Sequence, residues 1–343
     1  MKKLLTLIPI RAQGLIMLCV LVVFSVASTA QDSKTLYEQA YQEQLRMLKG
    51  QTPVNFKRAV FITENAYNKG TLNYAAFCSD ITKTGSVLKE MIRKKGIQGF
   101  RTAGNWAVFT YMSDALPENA LKPFTYDFDD FMGDKDWRKM FVTKLVREHK
   151  GNCHSLPYYY KILCEEIGAS ASLALAPNHM YIKHQDEKGQ WTNVELTNGG
   201  FPRDQWIIKE MAITVEAIKN NTYMAPLTPK ETIAMTMFDL ACGYEALYGK
   251  GDFVLKAVNT ALIYFPKCIP LLQHKANFID ASIKQEKKKT KPDGTFLTSR
   301  IAQYKSLLSA IDKTGYKDMP PELYKEWVKS VEKEKAKQGL TSN

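Results

Sequence analysis

A chain of 343 residues with an apolar fraction of 45% is long enough to bury a sizeable core, and that composition excludes wholesale disorder. Its net charge of +12 favours acidic partners, but the lysines alternate with Glu and Asp as on an ordinary solvated face. No zinc-finger spacing, basic heptad or ribonucleoprotein motif converts the charge into a nucleic-acid site, so no nucleic-acid partner is expected.

The amino terminus reads as a secretory signal. "MKKLLTLIPIRAQ" is positively charged, "GLIMLCVLVVFSVA" is apolar, and Ser28 and Ala30 are small, so residues 1–30 form the signal, with cleavage expected after Ala30. The apolar run is shorter than the roughly 20 residues of a membrane span. No span is expected after cleavage, although retention as an anchor stays open. Cys19 sits mid-run behind the bulky Leu18, which argues against lipoprotein processing. The mature chain is expected to be exported, periplasmic or extracellular. It keeps Cys78, Cys153, Cys164, Cys242 and Cys268, an odd set that requires at least one free thiol. Buried free thiols are favoured over disulfides.

From Gln31 to about Lys150 the pattern is helical. "TLYEQAYQEQLRMLKG" places Leu36, Ala40, Leu45 and Leu48 near helical spacing, and Gly50 stops it. "PVNFKRAVFITENAYNKG" and "SVLKEMIRKKG" also end in glycine behind lysine. The acidic "YDFDDFMGDKDW" lacks the ligand alternation of a calcium loop and reads as a connecting segment. "WRKMFVTKLVREHK" is expected to be one further helix, burying Met140, Val142, Leu145 and Val146.

The central segment carries the chemistry. "HSLPYYYKILCEEIG" has Leu156, Tyr160, Leu163 and Ile167 at helical steps and closes at Gly168; Pro157 falls in the first turn. Cys153 therefore stands at a helix N-terminus beside Asn152 as cap. Free N–H groups and the helix dipole there favour a thiolate. Three strand-like runs follow, "ASLALA", "HMYIKH" and "WTNVELT", with "QDEKGQ" as the hairpin turn between the last two. A three-residue loop puts His179 and Glu195 on one face of the sheet. If the loop is Asp186 to Lys188 they oppose directly; if it is Glu187 to Gly189 they are diagonal neighbours, still within reach. A loop of two or four residues would separate them. Gly189 suits the left-handed end of a three-residue loop.

These residues make a catalytic set. Cys153 attacks a carbonyl, His179 takes and returns the proton, and Glu195 orients the imidazole. The Cys153 N–H is the natural first oxyanion donor, and no second donor stands out. His154 is a rival base, but a helix turns it about 100° away from Cys153, which suits a surface or supporting role. His149, His184 and His274 have no acidic or thiol companion at useful spacing and read as solvated or packed. Zinc held by Cys153, His154 and His179 lacks a fourth ligand and any Cys-x-x-Cys unit. No metal or cofactor is expected. Tyr158, Tyr159 and Tyr160 read as packing residues, and Asn178 as a turn.

Gly151-Asn152-Cys153, Ile167-Gly168, His179-Met180-Tyr181 and Trp191 with Val194-Glu195-Leu196-Thr197 resemble the core of the transglutaminase-like superfamily, over roughly residues 140 to 200. That resemblance implies an α+β fold with a papain-like core, in which the cysteine helix packs on a small antiparallel sheet between mostly helical flanks. It departs from the usual pattern where Glu195 replaces aspartate and Tyr181 stands where tryptophan is frequent.

After Gly200 the chain is helical again. "DQWIIKEMAITVEAIKNNTY" leads to a boundary at "MAPLTPKE", where Thr228 can cap the next helix. Residues 232–266 resemble one tetratricopeptide unit: two helices around Gly249 to Asp252, with Ala257 and Ala261 on the second and Pro266 after it. "IKQEKKKTKPDGT" reads as a basic exposed loop and "PPELYKEWVKSVEKEKAKQG" as a terminal helix. The expected division is 1–30 signal, 31–225 catalytic domain with a helical N-terminal lobe, and 226–343 helical module. The expected activity is a cysteine hydrolase or acyltransferase acting on a peptide or side-chain amide through a thioester, cell-wall peptide being one candidate substrate. Hydrolysis is favoured outside the cell because water is abundant. The alternative is a noncatalytic scaffold that binds a protein partner through its C-terminal helices.

Overall fold

The computed structural model describes residues 33–323 and parts of the segment that follows, to residue 336. The expected signal at residues 1–30, with Cys19, lies outside the described residues, as does part of the expected terminal helix. The chain is α+β and mostly helical, with a three-stranded antiparallel sheet and a two-stranded parallel one.

Helices α1 (Ser33–Leu48), α2 (Phe56–Tyr67) and α3 (Tyr74–Lys95) open the described chain. Asn55 and Asn73 cap α2 and α3 by accepting from Arg58 N–H and Ala76 N–H, which satisfies donors the helix leaves free. The buried stripe of α1 runs through Tyr37, Ala40, Tyr41, Gln44 and Leu48, with Leu36 and Leu45 only at its margins. Buried Gln44 is affordable because Thr63 Oγ1 accepts from its Nε2 at 2.8 Å and Thr236 Oγ1 donates to its Oε1 at 3.0 Å. That one amide ties α1 and α2 to the carboxyl-terminal half.

After α4 (Ala103–Ser113) comes a strand the periodicity did not show: β1 (Thr125–Tyr126) pairs in parallel with β2 (Lys150–Gly151). The expected single helix over 137–150 is instead a 3-10 turn, Trp137–Met140, followed by α5 (Val142–Glu148). The break is set from outside the segment. Buried Glu64 accepts from the N–H groups of Val142 and Thr143 at 2.7 and 2.9 Å, which starts a new helix there. Burial pushes the Glu64 carboxyl up to about 7, against those two hydrogen bonds.

Helix α6 (Ser155–Ile167) packs against α3, α4 and α5 and touches the sheet formed by β3 (Ser172–Ala176), β4 (His179–Gln185) and β5 (Trp191–Val194). Strand β4 lies between β3 and β5. Partners Ile182↔Val194 and Gln185↔Trp191 define the register. The loop is therefore Glu187 to Gly189, the diagonal case, and Gly189 takes φ +79°.

After Gly200 the chain is helical as expected, in two short helices, α7 (Asp204–Glu210) and α8 (Val215–Lys219). Ala212 turns left-handed at φ +50°, Ile213 N–H reaches back to Ile208 C=O at 3.0 Å, and Thr214 caps α8 through Ala217 N–H. Thr228 caps α9 (Pro229–Tyr248), as the sequence signalled, and Glu231 completes a capping box with it. Helices α10 (Asp252–Tyr264), α11 (Ile269–Lys287) and α12 (Gly294–Lys313) follow, each packed on its predecessor. Helix α9 also packs on α1 and α2. One hydrophobic cluster consequently runs from Tyr37 to Leu272.

Candidate active site

Three local decisions bring the expected residues together. Asn178, at φ +53°, turns the chain so that His179 opens β4 opposite Ala176. The hairpin register carries Glu195 to the diagonal position beyond β5, where its backbone pairs both ways with Gly200. Asn152 Oδ1 accepts from His154 N–H and Ser155 N–H at 3.1 and 3.0 Å, so it performs the capping expected of it and fixes Cys153 at the mouth of α6.

His179 Nε2 meets Glu195 Oε2 at 2.5 Å. The thiol of Cys153 is hydrogen-bonded to the same imidazole, whose remaining nitrogen is Nδ1. Glu195, 7% exposed, is anchored on its other oxygen by Thr197 N–H and Oγ1 at 2.9 and 2.8 Å. The carboxylate is thus aimed by three hydrogen bonds before any substrate arrives.

The electrostatics follow from this relay. Burial opposes the charge on Cys153, but the hydrogen bond and charge of His179 outweigh it and hold the thiol below its ordinary value. His179 is pushed up to about 10: burial lowers it, and the charge of Glu195 together with Cys153 more than reverses that. Glu195 is lowered, its burial overcome by His179 and Thr197. Burial drives three other thiols the opposite way, upward for Cys164 and Cys242 and to about 12 for Cys268. All five cysteines among the described residues are free.

His154 is not a surface residue; its side chain is 12% exposed. Nδ1 donates to Met140 C=O at 3.0 Å and Nε2 faces Asp239 Oδ1 at 3.0 Å. With both nitrogens engaged, no lone pair is left for Cys153, and His154 cannot be its base. Coulombic attraction and the hydrogen bond to Asp239 raise His154 despite burial, which favours the charged imidazole beside the nucleophile. Tyr158 O–H donates to Asp239 Oδ2 at 2.8 Å. His149 is packed, stacked on Phe124 at 4.3 Å. His274 has a companion the sequence spacing hid, Glu245, at 2.9 Å. Among the described residues no group of three or more His, Cys, Asp or Glu is arranged to hold a metal ion.

Sequence reasoning missed Asp239 and Tyr126. Asp239 carried a signal, an acid on the apolar face of a helix pattern, which demands a buried partner. Tyr126 carried none. The glycine of Gly151-Asn152-Cys153 has a packing reason: a Cβ there would lie 2.7 Å from both Ser155 Oγ and Leu145 Cδ1. Gly151→Ala is accordingly expected to cost about 1–3 kcal/mol in urea denaturation; a neutral result would show that the turn can yield.

No family model matches this chain, and no curated protein matches it. One solved structure aligns over 91% of this chain and 92% of its own, at 10% identity and a TM-score of 0.35. It is menin, in a crystal structure described as revealing the binding site for the Mixed Lineage Leukemia protein. With no family model matching, and on the architecture itself, the resemblance to the transglutaminase-like superfamily with a tetratricopeptide-like extension is withdrawn. The chain is mostly helical, and its three-stranded sheet does not make a clear core of that family. Short pieces such as Gly-x-Cys and a strand-opening histidine report local chemistry, and that chemistry is shared by unrelated folds. No helix among the described residues is long and apolar enough to cross a membrane.

Proposed function

We propose that this protein is an exported cysteine hydrolase or acyltransferase that opens a peptide or side-chain amide through a thioester on Cys153. The observation that carries the reading is one imidazole shared by a lowered thiol and an anchored carboxylate, 2.5 Å from Glu195. Around it we propose a papain-like arrangement in a restricted sense: a cysteine at the start of α6, a histidine on β4, and α6 against the sheet. The positively charged and then apolar amino terminus supports export.

Sulfur attacks the carbonyl carbon and the C=O pair moves to oxygen. On collapse the C–N bond breaks, and His179 gives its proton to the departing amine. Water, deprotonated by His179, then cleaves the thioester. An open groove lined by Phe201, Pro202, Arg203 and Trp206 begins at Gly200, which is bonded to Glu195. Phe201 and Trp206 are 55% and 45% exposed there. Such a surface suits a peptide chain better than a small polar metabolite.

The direct test is labelling with an electrophilic thiol probe, followed by peptide mapping. Cys153 is expected to react far faster than Cys164 or Cys242, and His179→Ala to slow only Cys153. Equal, sluggish labelling of all three would favour a noncatalytic scaffold.

A further inference from the structure

Acyl transfer at Cys153 needs a second donor to the oxyanion, and the amide of Cys153 alone supplies one. Strands β1 and β2 show where the other comes from. Tyr126 pairs with Gly151, two residues before the nucleophile, and Asp127 N–H donates to Gly151 C=O at 2.6 Å. The strand is clamped on its far side: Asp127 Oδ2 takes Lys139 Nζ and Lys144 Nζ at 2.8 and 2.9 Å, and Lys144 Nζ also donates to Lys150 C=O at 3.1 Å. The Tyr126 ring packs on Phe128 and Phe131, with centroids 4.8 and 6.3 Å away. Phe131 C=O accepts from Asn152 Nδ2 at 2.9 Å. Residues on the amino-terminal side of Cys153 therefore hold both ends of the Tyr126 loop.

The Tyr126 phenol is hydrogen-bonded to both the side chain and the backbone of Cys153. We propose that Tyr126 is a catalytic residue whose O–H, beside the Cys153 N–H, binds the oxyanion of the tetrahedral intermediate; this rests on the cysteine-nucleophile reading above. In the free protein the phenol holds the thiolate. As the S–C bond forms, negative charge leaves sulfur and gathers on the carbonyl oxygen. The O–H follows it, and the amide released from the phenol oxygen joins it. When the C–N bond breaks, the oxyanion pair returns to the carbonyl and the O–H is free again, so Tyr126 loses no proton at any step. Burial, reinforced by the nearby thiol and Glu195, raises the phenol far above its ordinary value and keeps it protonated for that duty.

The experiment compares two reactions of the same sulfur. p-Nitrophenyl acetate acylates Cys153 through an oxyanion; iodoacetamide alkylates it by direct displacement, with none. Tyr126→Phe keeps the ring but frees the sulfur from the phenol, a change that acts on both reactions alike, so the acylation burst relative to alkylation of the same variant is expected to fall about 100-fold. A ratio that holds, with both reactions changing by one factor, would overturn the assignment. Should the phenylalanine also lower the melting temperature, fluorotyrosine at position 126 keeps ring and hydroxyl while sharpening its acidity. Faster acylation then supports the donor role, and an unchanged rate overturns it. Wild type that acylates no faster than Cys153→Ala would sink the cysteine-enzyme reading itself, and Tyr126 with it; that outcome is distinct because it needs no Tyr126 variant.

Discussion

Glu195→Gln is expected to slow acylation of Cys153 by about 10⁴-fold and to leave the melting temperature near that of wild type. The reason is a tautomer. Thr197 N–H and Oγ1 are bonded to Oε1, so the new side chain keeps its oxygen there, since an amide nitrogen would face the Thr197 N–H donor to donor. Its NH₂ then points at His179 Nε2, which must accept, leaving the ring's proton on Nδ1 against the sulfur. An imidazole in that form cannot take the thiol proton. Removing the carboxylate also removes the main influence that raises His179, so the imidazolium that holds the thiolate is lost at a lower pH. Burst kinetics across pH would read both effects. A loss under tenfold, with no shift of the profile, would mean that Glu195 does not orient the base.

Asp239→Ala is expected to destabilise the fold by about 3–5 kcal/mol, the usual cost of breaking a buried pair by removing one partner. The carboxylate serves two buried groups at once, His154 Nε2 at 3.0 Å and Tyr158 O–H at 2.8 Å. Both lose their partner together, and α9 loses its polar anchor to the turn that carries Cys153. The pH dependence has a definite sign. His154 is raised in the folded state from an ordinary value of 6.5, so the stability it contributes is complete below about 6.5 and is lost as pH rises through the folded value. Charged neighbours that act on His154 are Asp239 and Cys153, and Glu64 feels its charge in return. Urea denaturation at several pH values would show wild type losing this increment on the alkaline side and Asp239→Ala lacking it throughout. A cost below 1 kcal/mol would show that the pair is solvated in practice.

Much of the candidate site was legible because it follows from rules that act over a few residues. Hairpin parity confined His179 and Glu195 to one face for a three-residue loop, and Gly189 selected that loop. The helical period from Leu156 to Ile167 placed Cys153 at a helix mouth, and Asn152 was readable as its cap. Thr228 and Gly96 marked helix ends by the same short-range chemistry. The family resemblance failed for the converse reason: short motifs carry local geometry, and local geometry does not select one family.

Sequence alone thus determined the helix that Cys153 precedes, the β4–β5 hairpin and which side of it bears the histidine and the carboxylate, since backbone periodicity, caps and turn residues are decided by neighbours in the chain. Tertiary structure alone decided that Glu64 starts a helix at Val142, that Asp239 favours the charged form of His154, and that Tyr126 meets Cys153. Each depends on burial and hydrogen bonding between segments 25 or more residues apart, and a charge or phenol in water gives no sign of the partner that desolvation will later force on it.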